Sequence, residues 1–177
     1  MRKVVLYIAV SLDGYIAKSN GEIDWLSIVE RPGEDYGYSG FLKTIDTVIL
    51  GRKTFDKILS LGVDFPHSDK ICYVITRQER KSEKNIVFYN GNPGELVVKL
   101  KTSPGQNIFC DGGAEIVNTL IKKDLIDEYI ISTIPVFLGK GIRLFDDFRR
   151  KTDLKLLSSK SFSSGLVQSH YRRLNSH

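Results

Sequence analysis

Apolar residues occur along this chain in short, nearly continuous runs separated by polar segments that contain glycine. Six runs rich in Val, Ile, Tyr and Phe predict β-strands: KVVLYIAV, DTVILG, KICYVIT, NIVFY, NIFCDGG and DEYIISTIPVFLG. Because these runs lack polar alternation, we expect both faces of most strands to be covered. That pattern favours a mostly parallel sheet with helices on both sides.

The segments between these runs repeat apolar residues at helical spacing. RKTFDKILSLG places Phe55, Ile58 and Leu59 on one face and ends at Gly62, a plausible C-terminal cap. GELVVKLK predicts a shorter helix. GAEIVNTLIKK is the clearest, because Glu115 lies in its first turn and two lysines lie in its last, which suits the helix dipole.

The end of the chain predicts a different arrangement. LKLLSSKSFSSGLVQSHYRRL suggests two strands around the turn at residues 163–165, and the second strand alternates Val167, Ser169 and Tyr171 with polar residues. We therefore expect a half-exposed antiparallel hairpin at one edge of the sheet. With 177 residues, the chain is predicted to form one α/β domain over residues 1–177.

Composition narrows the classes of partner. The net charge of +5 permits a nucleic-acid partner, but the densest basic cluster, Arg149 to Lys151, has no interleaved aromatic residues. We expect no nucleic-acid partner, and a basic nucleic-acid binder stays open only as a third possibility. A modest positive charge also suits a ligand that carries several phosphates.

Other features bear on the compartment and on metals. No apolar run approaches the ~20 residues that cross a bilayer, so we expect no membrane span. Cys72 and Cys110 lie within apolar runs, which favours free thiols and a reducing cytoplasm. The three histidines have no metal-ligand spacing to cysteine or acidic pairs, so we expect no metal.

Two strand-to-helix junctions carry glycine. In VILGRKTF, Gly51 ends a strand and Arg52 and Lys53 open a helix; in FCDGGAEI, Gly112 and Gly113 precede the next helix. In a parallel sheet both junctions fall at the carboxyl edge, where free helix N–H groups bind phosphate oxygens. Either junction alone is a common tight turn. Together, with basic residues at one of them, they predict a long polyphosphate ligand.

A third junction follows the strand YVIT. Thr76, Arg77 and Gln78 form either an ordinary polar loop or a site for an extra phosphate on an adenosine ribose. None of the three junctions matches the G-x-G-x-x-G fingerprint or the P-loop, so those two kinds of nucleotide site are disfavoured.

The chain contains, in this order, the motifs IAVSLDGYIA, a tryptophan, DTVILGRKTF, YVITR, CDGGAEIV and IPVFLGKGIRLF. Together they resemble the reductase domain of bacterial riboflavin biosynthesis, a RibD C-terminal-like domain. That domain belongs to the dihydrofolate reductase-like superfamily. The resemblance runs from about residue 4 to residue 145. It implies an α/β fold with a central, mixed, mostly parallel sheet of about eight strands, about four flanking helices and a C-terminal antiparallel hairpin. It also implies NADPH as the cofactor and a homodimer.

The resemblance assigns cofactor contacts residue by residue. Matching positions flank the nicotinamide, border the pyrophosphate or surround the ribose 2′-phosphate: Ala9, Ile16, Gly51, Arg52, Lys53, Thr54, Thr76, Arg77, Gln78, Gly112, Gly113, Ala114, Glu115 and Ile116. It also implies that SLDGYIA is a mobile loop over the reacting ring. A cis peptide bond between Gly112 and Gly113 is a further expectation of the resemblance.

Reduction of a C=N bond needs a proton on the nitrogen, usually supplied by one acidic group. Dihydrofolate reductases carry that carboxylate on the helix before the GRKT-like motif, and Asp35 falls nearest the matching place. Glu30 and Glu34 are rivals. A helix-start acid favoured by the dipole is the structural alternative for Asp35.

Four residues are assigned to the substrate. Asp111 matches an acidic position that contacts substrate in the riboflavin reductases, with a hydrogen bond to the adjacent backbone as the alternative. Asp13 is either a substrate contact or a turn cap. Trp25 is placed at the edge of the cleft, and Tyr36 either stacks on a planar heterocycle or packs in the core.

The leading hypothesis is an NADPH-dependent reductase of a heterocyclic or imine-like small molecule. The best single candidate is 5-amino-6-(5-phosphoribosylamino)uracil, and dihydrofolate or another pterin is the alternative. From a different class, the chain is a non-catalytic NADP-binding or interaction module. The fold and cofactor are better supported than the substrate, because one fold serves many reactions.

Overall fold

The computed structural model describes residues 1–62, 65–146 and 151–174. Ten strands are present in this part of the chain. They are β1 (Val4–Ser11), β2 (Tyr15–Ala17), β3 (Ile45–Gly51), β4 (Ile71–Ile75), β5 (Ile86–Tyr89), β6 (Asn107–Gly112), β7 (Glu128–Ile134), β8 (Ile142–Arg143), β9 (Leu154–Ser161) and β10 (Val167–Arg173). The six predicted apolar runs each contain one of them.

Eight of these strands form one sheet in the order β5-β4-β3-β6-β1-β7-β10-β9. The first six are parallel to one another, whereas β10 is antiparallel to β7 and to β9. The predicted mixed sheet with a C-terminal antiparallel hairpin is therefore confirmed. The short strands β2 and β8 pair in a separate antiparallel ribbon.

Four α-helices accompany the sheet in the described residues: α1 (Tyr38–Leu42), α2 (Arg52–Ser60), α3 (Pro93–Thr102) and α4 (Ala114–Lys122). A 3-10 helix spans Asp24–Val29. As predicted, α2 is followed by Gly62, whose φ of +68° suits a helix end. Of the three apolar residues predicted on one face of α2, Phe55 is buried and Ile58 packs against the same core cluster, whereas Leu59 is 48% exposed. None of the helices is long and apolar enough to cross a membrane within the described residues.

Side-chain alternation divides the core between the two faces of the sheet. On one face, Leu6, Ile108 and Cys110 pack with residues of α3 and α4. On the other face, Val48 and Phe109 pack with Phe55 of α2 and with residues of α1. Because neighbouring strand residues point to opposite faces, both faces need apolar residues, which explains the near-continuous runs. The carboxyl ends of β3 and β6 form the edge described next.

Candidate active site

The two glycine junctions lie side by side at the carboxyl edge, because β3 and β6 are neighbouring parallel strands. The hydroxyl oxygen of Thr54, in the first turn of α2, accepts a hydrogen bond of 3.1 Å from the amide of Gly113, just before α4. A Cβ on Gly51 would lie 3.4 Å from the side chain of Ile116. The two glycine junctions, which the sequence pattern had grouped together, therefore form one continuous rim.

The expected cis peptide between the two glycines is wrong: the described residues contain no cis peptide bond. Gly112 has a φ of +105°, a region that L side chains rarely adopt. This backbone conformation turns the chain from β6 toward α4 through an ordinary trans linkage, so glycine is still required at Gly112.

The two helices at this rim begin without a capping side chain. Neither α2, after Gly51, nor α4, after Gly113, has a side-chain cap. By contrast, the amides of Gly94 and Glu95 at the start of α3 donate to the side chain of Asn92. Uncapped helix starts leave N–H groups and the positive end of the helix dipole for an anion. The rim thus fits the phosphates of a dinucleotide.

Arginines surround the starts of α2 and α4. Arg52 donates to Asp56 at 2.8 Å, and the same carboxyl group accepts from Arg80 at 3.1 Å. Arg77 is paired with Glu115 at 2.6 Å, but the two side chains are 91% and 74% exposed. Such an exposed pair contributes little and is easily exchanged for a phosphate partner. Sequence reasoning missed Arg80, which becomes visible only because it shares Asp56 with Arg52.

The other residues assigned to the cofactor differ in their burial and in their hydrogen bonds. Thr76 is buried, and its hydroxyl both accepts from the amide of Gln78 and donates to the carbonyl of Gln78. This local turn favours a structural role for that hydroxyl. Lys53 is exposed on α2, and Ala114 is partly buried at the start of α4. Of the cations assigned to the cofactor, Lys53 and Arg77 are thus exposed, and Arg52 is partly buried.

The opening loop SLDGYIA is fastened to the loop that follows β7. The carboxylate of Asp13 accepts hydrogen bonds from the hydroxyl of Ser11 and from the amides of Leu138 and Gly139, at 2.6, 3.1 and 2.7 Å. Desolvation opposes ionisation, but these hydrogen bonds outweigh it and lower the pKa of Asp13. Gly14, with a φ of +86°, permits the turn. The structure therefore gives Asp13 a loop-bridging position.

The two residues that were assigned to positions beside the nicotinamide lie on opposite sides of the sheet. Ala9 of β1 borders an open cleft, whereas Ile16 of β2 packs against the core cluster on the α3 and α4 side. Ile16 is therefore not among the residues that line the cleft beside Ala9. The carboxyl end of β1 still lies next to the glycine rim, because β1 pairs with β6.

The cleft beside Ala9 has a volume of about 390 Å³. It lies between the 3-10 helix, α1 and the strands β1 and β7. Its lining combines aromatic and aliphatic side chains with polar groups: Tyr7, Ala9, Leu26, Val29, Glu30, Arg31, Glu34, Asp35, Tyr36, Tyr38, Ser132, Ile134 and Leu166. This combination suits a planar heterocycle of small-molecule size.

Asp35 borders this cleft, but it precedes α1 instead of lying on it. One carboxylate oxygen accepts from the amide of Gly37 at 2.9 Å and the other from the amide of Ser39 at 3.0 Å. Hydrogen bonds from Ser39 and then Gly37 lower the pKa of Asp35. This geometry matches the helix-start alternative. The role of Asp35 as a proton donor stays a prediction.

Trp25 and Tyr36 lie around the same cleft in different ways. Trp25 is buried with Ile134 and Leu166, and its indole N–H has no partner among the described residues. Tyr36 lines the cleft, and its hydroxyl contacts Ser164 at 2.8 Å and the carbonyl of Val29. The structure thus brings Tyr36 to the cleft wall and places Trp25 behind it.

A polar network that sequence reasoning missed crosses the cleft. The side-chain amide of Gln168 donates to the hydroxyls of Tyr7 and Ser132 and to the carbonyl of Tyr36, at 3.0 to 3.1 Å. Burial is the largest influence on the Tyr7 hydroxyl and raises its pKa. The hairpin strand β10 therefore contributes to the cleft. The signal in the sequence that could have revealed this network was the presence of polar residues inside apolar strands.

Asp111 lies on β6 between the cleft and the glycine rim. Its neighbour Cys110 pairs with Leu6, so the next positions along the two parallel strands are Asp111 and the cleft residue Tyr7. One oxygen of Asp111 lies 3.1 Å from the ring nitrogen Nε2 of His67. The structure therefore places Asp111 near the cleft, and it pairs with a histidine that sequence reasoning had left without a role.

Comparison with known proteins identifies the family. Residues 2–168 match the family model described as the RibD C-terminal domain. The chain belongs to the RibD C-terminal domain family. Over 173 residues it is 49% identical to the uncharacterized protein YwjB of Bacillus subtilis (strain 168), which covers 97% of this chain and 98% of that protein.

Two solved structures have a similar fold. A provisionally named riboflavin biosynthesis protein from Shewanella sp. PV-4 superposes with a TM-score of 0.89 and 30% identity, covering 98% of this chain and 99% of that one. Dihydrofolate reductase from Enterococcus faecalis, solved in complex with NADP(H), gives a TM-score of 0.67 at 17% identity, covering 98% and 97%. The predicted family and the dihydrofolate reductase-like fold are therefore confirmed.

Proposed function

We propose that this protein is an NADPH-dependent reductase that delivers hydride to a C=N or imine-like carbon of a planar nitrogen heterocycle. The observation that carries this proposal is the continuous rim of two uncapped helix starts, joined by the hydrogen bond from Gly113 to Thr54, with arginines beside it and an open cleft next to it. Membership of a reductase-domain family supports the same conclusion.

The residues of the rim fit the cofactor. The starts of α2 and α4 would hold the pyrophosphate, and Arg52, Arg77 and Arg80 would hold the 2′-phosphate. When bound, NADPH supplies the hydride. The chain itself orients the reacting ring along the carboxyl ends of β1 and β6, and the walls around Ala9 exclude water from one side.

The reaction also needs a proton on the reduced nitrogen, and its proposed source is Asp35. Because hydrogen bonds from Ser39 lower its pKa, Asp35 is ionised at neutral pH in this structure. To donate a proton at neutral pH it must first be protonated, so substrate binding would have to break those hydrogen bonds and desolvate the carboxyl group until its pKa rises above the ordinary range. The assignment is testable with Asp35→Asn, which removes the ionisable group.

Two substrates are proposed for different reasons. The family favours 5-amino-6-(5-phosphoribosylamino)uracil, which carries a phosphate. The charges of the cleft favour a pterin without anionic groups, because Glu30, Glu34 and Asp35 line it together with one cation, Arg31, and the two carboxylates of dihydrofolate would meet the same repulsion as a phosphate. The guanidinium of Arg31 already donates to the carbonyls of Ile28 and Glu30. A phosphate placed there would face mostly negative charge.

The test is oxidation of NADPH, followed at 340 nm, with each of the two substrates. Faster oxidation with a dihydropterin that lacks the glutamate tail is expected if the charges of the cleft decide specificity, and faster oxidation with the aminouracil is expected if the family decides it. Tight binding of NADPH without oxidation by either heterocycle would support a non-catalytic module. Absence of NADPH binding would contradict the proposed function.

We also propose that the protein is a homodimer. The edge strand β9 is exposed along its whole length and includes Leu154, Leu156 and Leu157, and Phe137 after β7 is 72% exposed. Exposed apolar residues of this size commonly lie in interfaces between subunits. Light scattering on the purified protein measures the mass directly, and 20.0 kDa would contradict the dimer.

A further inference from the structure

His67 is a buried polar residue for which the proposed reaction gives no role. It lies in the loop before β4, and its side chain is 1% exposed. Its ring contacts Phe65 and Phe109 edge-on, with centroids 5.5 and 5.7 Å apart. Its carbonyl accepts a 2.9 Å hydrogen bond from the side chain of Asn85. The surroundings therefore fix the position of the imidazole within an aromatic pocket.

The hydrogen bonds of the ring indicate which nitrogen carries the proton. Nε2 lies 3.1 Å from Oδ2 of Asp111, whereas the buried Nδ1 has no partner among the described residues. A proton on Nδ1 would bury an unsatisfied donor and leave two acceptors facing each other. The favoured arrangement is a neutral imidazole that donates its Nε2–H to an ionised Asp111.

This arrangement leaves part of Asp111 for a ligand. Within the described residues, only Oδ2 of Asp111 takes part in a hydrogen bond, and 20% of the side chain is exposed. Asp111 also lies beside the cleft, because Cys110 pairs with Leu6 and the next residue of β1, Tyr7, lines the cleft. The second oxygen is therefore available at the boundary between cleft and rim.

We propose that His67 is a positioning residue that holds Asp111 as an ionised hydrogen-bond acceptor for an N–H edge of the substrate. The inference rests on the proposed function and specifies its substrate: a heterocycle with an amino or ring N–H that can donate to a carboxylate. Such charge-assisted hydrogen bonds are short and directional, so a fixed carboxylate also fixes the orientation of the ring.

The other titratable groups around His67 and Asp111 keep a constant charge near neutral pH. Burial raises the pKa of the thiols of Cys72 on β4 and Cys110 on β6 to about 12, and burial also raises the pKa of Tyr38 on α1. In the adjoining loop, the side-chain hydrogen bond from Lys70 lowers the pKa of Asp69. None of these groups changes charge between about pH 5 and pH 8, because their ordinary or shifted pKa values lie outside that range.

The first test uses 6-aminouracil, an uncharged ring with several N–H groups, as the probe in an NMR titration without cofactor. In His67→Leu the dissociation constant rises about tenfold or more at pH 7, because the carboxylate has lost the donor that orients it. His67→Gln restores most of the affinity, since its amide can donate to Asp111.

His170→Gln is the matched control. His170 also faces a carboxylate, with Nε2 3.0 Å from Glu128, but that pair lies on β10 and β7 at the opposite end of the strands. Its substitution leaves the affinity for 6-aminouracil unchanged. Equal affinities of wild type, His67→Leu and His67→Gln would overturn the proposal, as would absence of binding to the wild-type protein.

The second test needs no ligand and separates this inference from the proposed function. Nitrogen-15 NMR of labelled histidine identifies the tautomer of His67, and we expect the Nε2–H form, with a signal that shifts in Asp111→Asn. An Nδ1–H tautomer overturns the proposal even if NADPH is oxidised. If His67→Leu fails to fold, His67→Gln and this spectrum still decide the question. If no substrate is ever reduced, the spectrum stands by itself.

Discussion

The hydrogen bond between Thr54 and Gly113 joins the two helix starts, so its removal tests the rim directly. Thr54→Val keeps the shape of the side chain but leaves the amide of Gly113 without its 3.1 Å partner. A neutral hydrogen bond contributes about 0.5–1.5 kcal/mol, and Gly113 is only partly buried, so we expect the free energy of unfolding to fall by about 1 kcal/mol.

The same variant removes a hydroxyl from the proposed phosphate site. A hydrogen bond to a charged group contributes about 1.5–3 kcal/mol, so the dissociation constant of NADPH should rise at least tenfold. Urea unfolding measures the first effect, and calorimetric titration with NADPH measures the second. Thr54→Ser, which keeps the hydroxyl, is the control and should resemble the wild type in both.

The two measurements can contradict different parts of the reasoning. Unchanged stability in Thr54→Val would show that the hydrogen bond does not join the junctions. Lower stability with unchanged NADPH affinity would separate the rim from the cofactor and refute the assignment of α2 and α4 to its phosphates.

Four other substitutions test individual residues. Arg52→Ala and Arg77→Ala should each weaken NADPH about tenfold or more and leave NADH unchanged, by titration of both dinucleotides; equal losses would remove these residues from the 2′-phosphate site. Asp35→Asn keeps one acceptor oxygen for the amides of Gly37 and Ser39 and loses the other, so retention of its fold is checked by circular dichroism; turnover unchanged at every pH would contradict the proton-donor role. Hydrogen bonds lower the pKa of Asp13, so its contribution to the loop is present above the ordinary value of ~3.9 and is lost as the pH falls through the lowered value. Asp13→Ala should therefore accelerate amide exchange near residues 138 and 139 at pH 6 by mass spectrometry, with no added effect in acid; unchanged exchange at pH 6 would contradict the bridge.

The parts of the site that follow from local pattern were predictable. Gly51, Gly112 and Arg52 lie at junctions where a strand ends and a helix begins, and a parallel sheet brings such junctions to one edge. The fold class followed in the same way from apolar runs and helical spacing. In these cases, the position of a residue in the sequence pattern is enough to predict its position in the fold.

The remaining parts depend on contacts between distant segments. Asp13 bridges to residues more than 120 positions away, and Gln168 on β10 contacts Tyr7 on β1 across the intervening strand β7. His67 carries no motif, and its importance appears only when the fold places it beside Asp111. The carboxylate expected on a helix was also misplaced, because Asp35 lies in the turn that precedes α1.

The central claim concerns where a phosphorylated nicotinamide dinucleotide binds, and a crystal structure of the protein grown with NADPH tests it most directly. The account predicts electron density for the pyrophosphate between the starts of α2 and α4, the 2′-phosphate beside Arg52 and Arg77, and the nicotinamide near Ala9. A dinucleotide bound elsewhere, or a rim that stays empty at saturating NADPH, would contradict it.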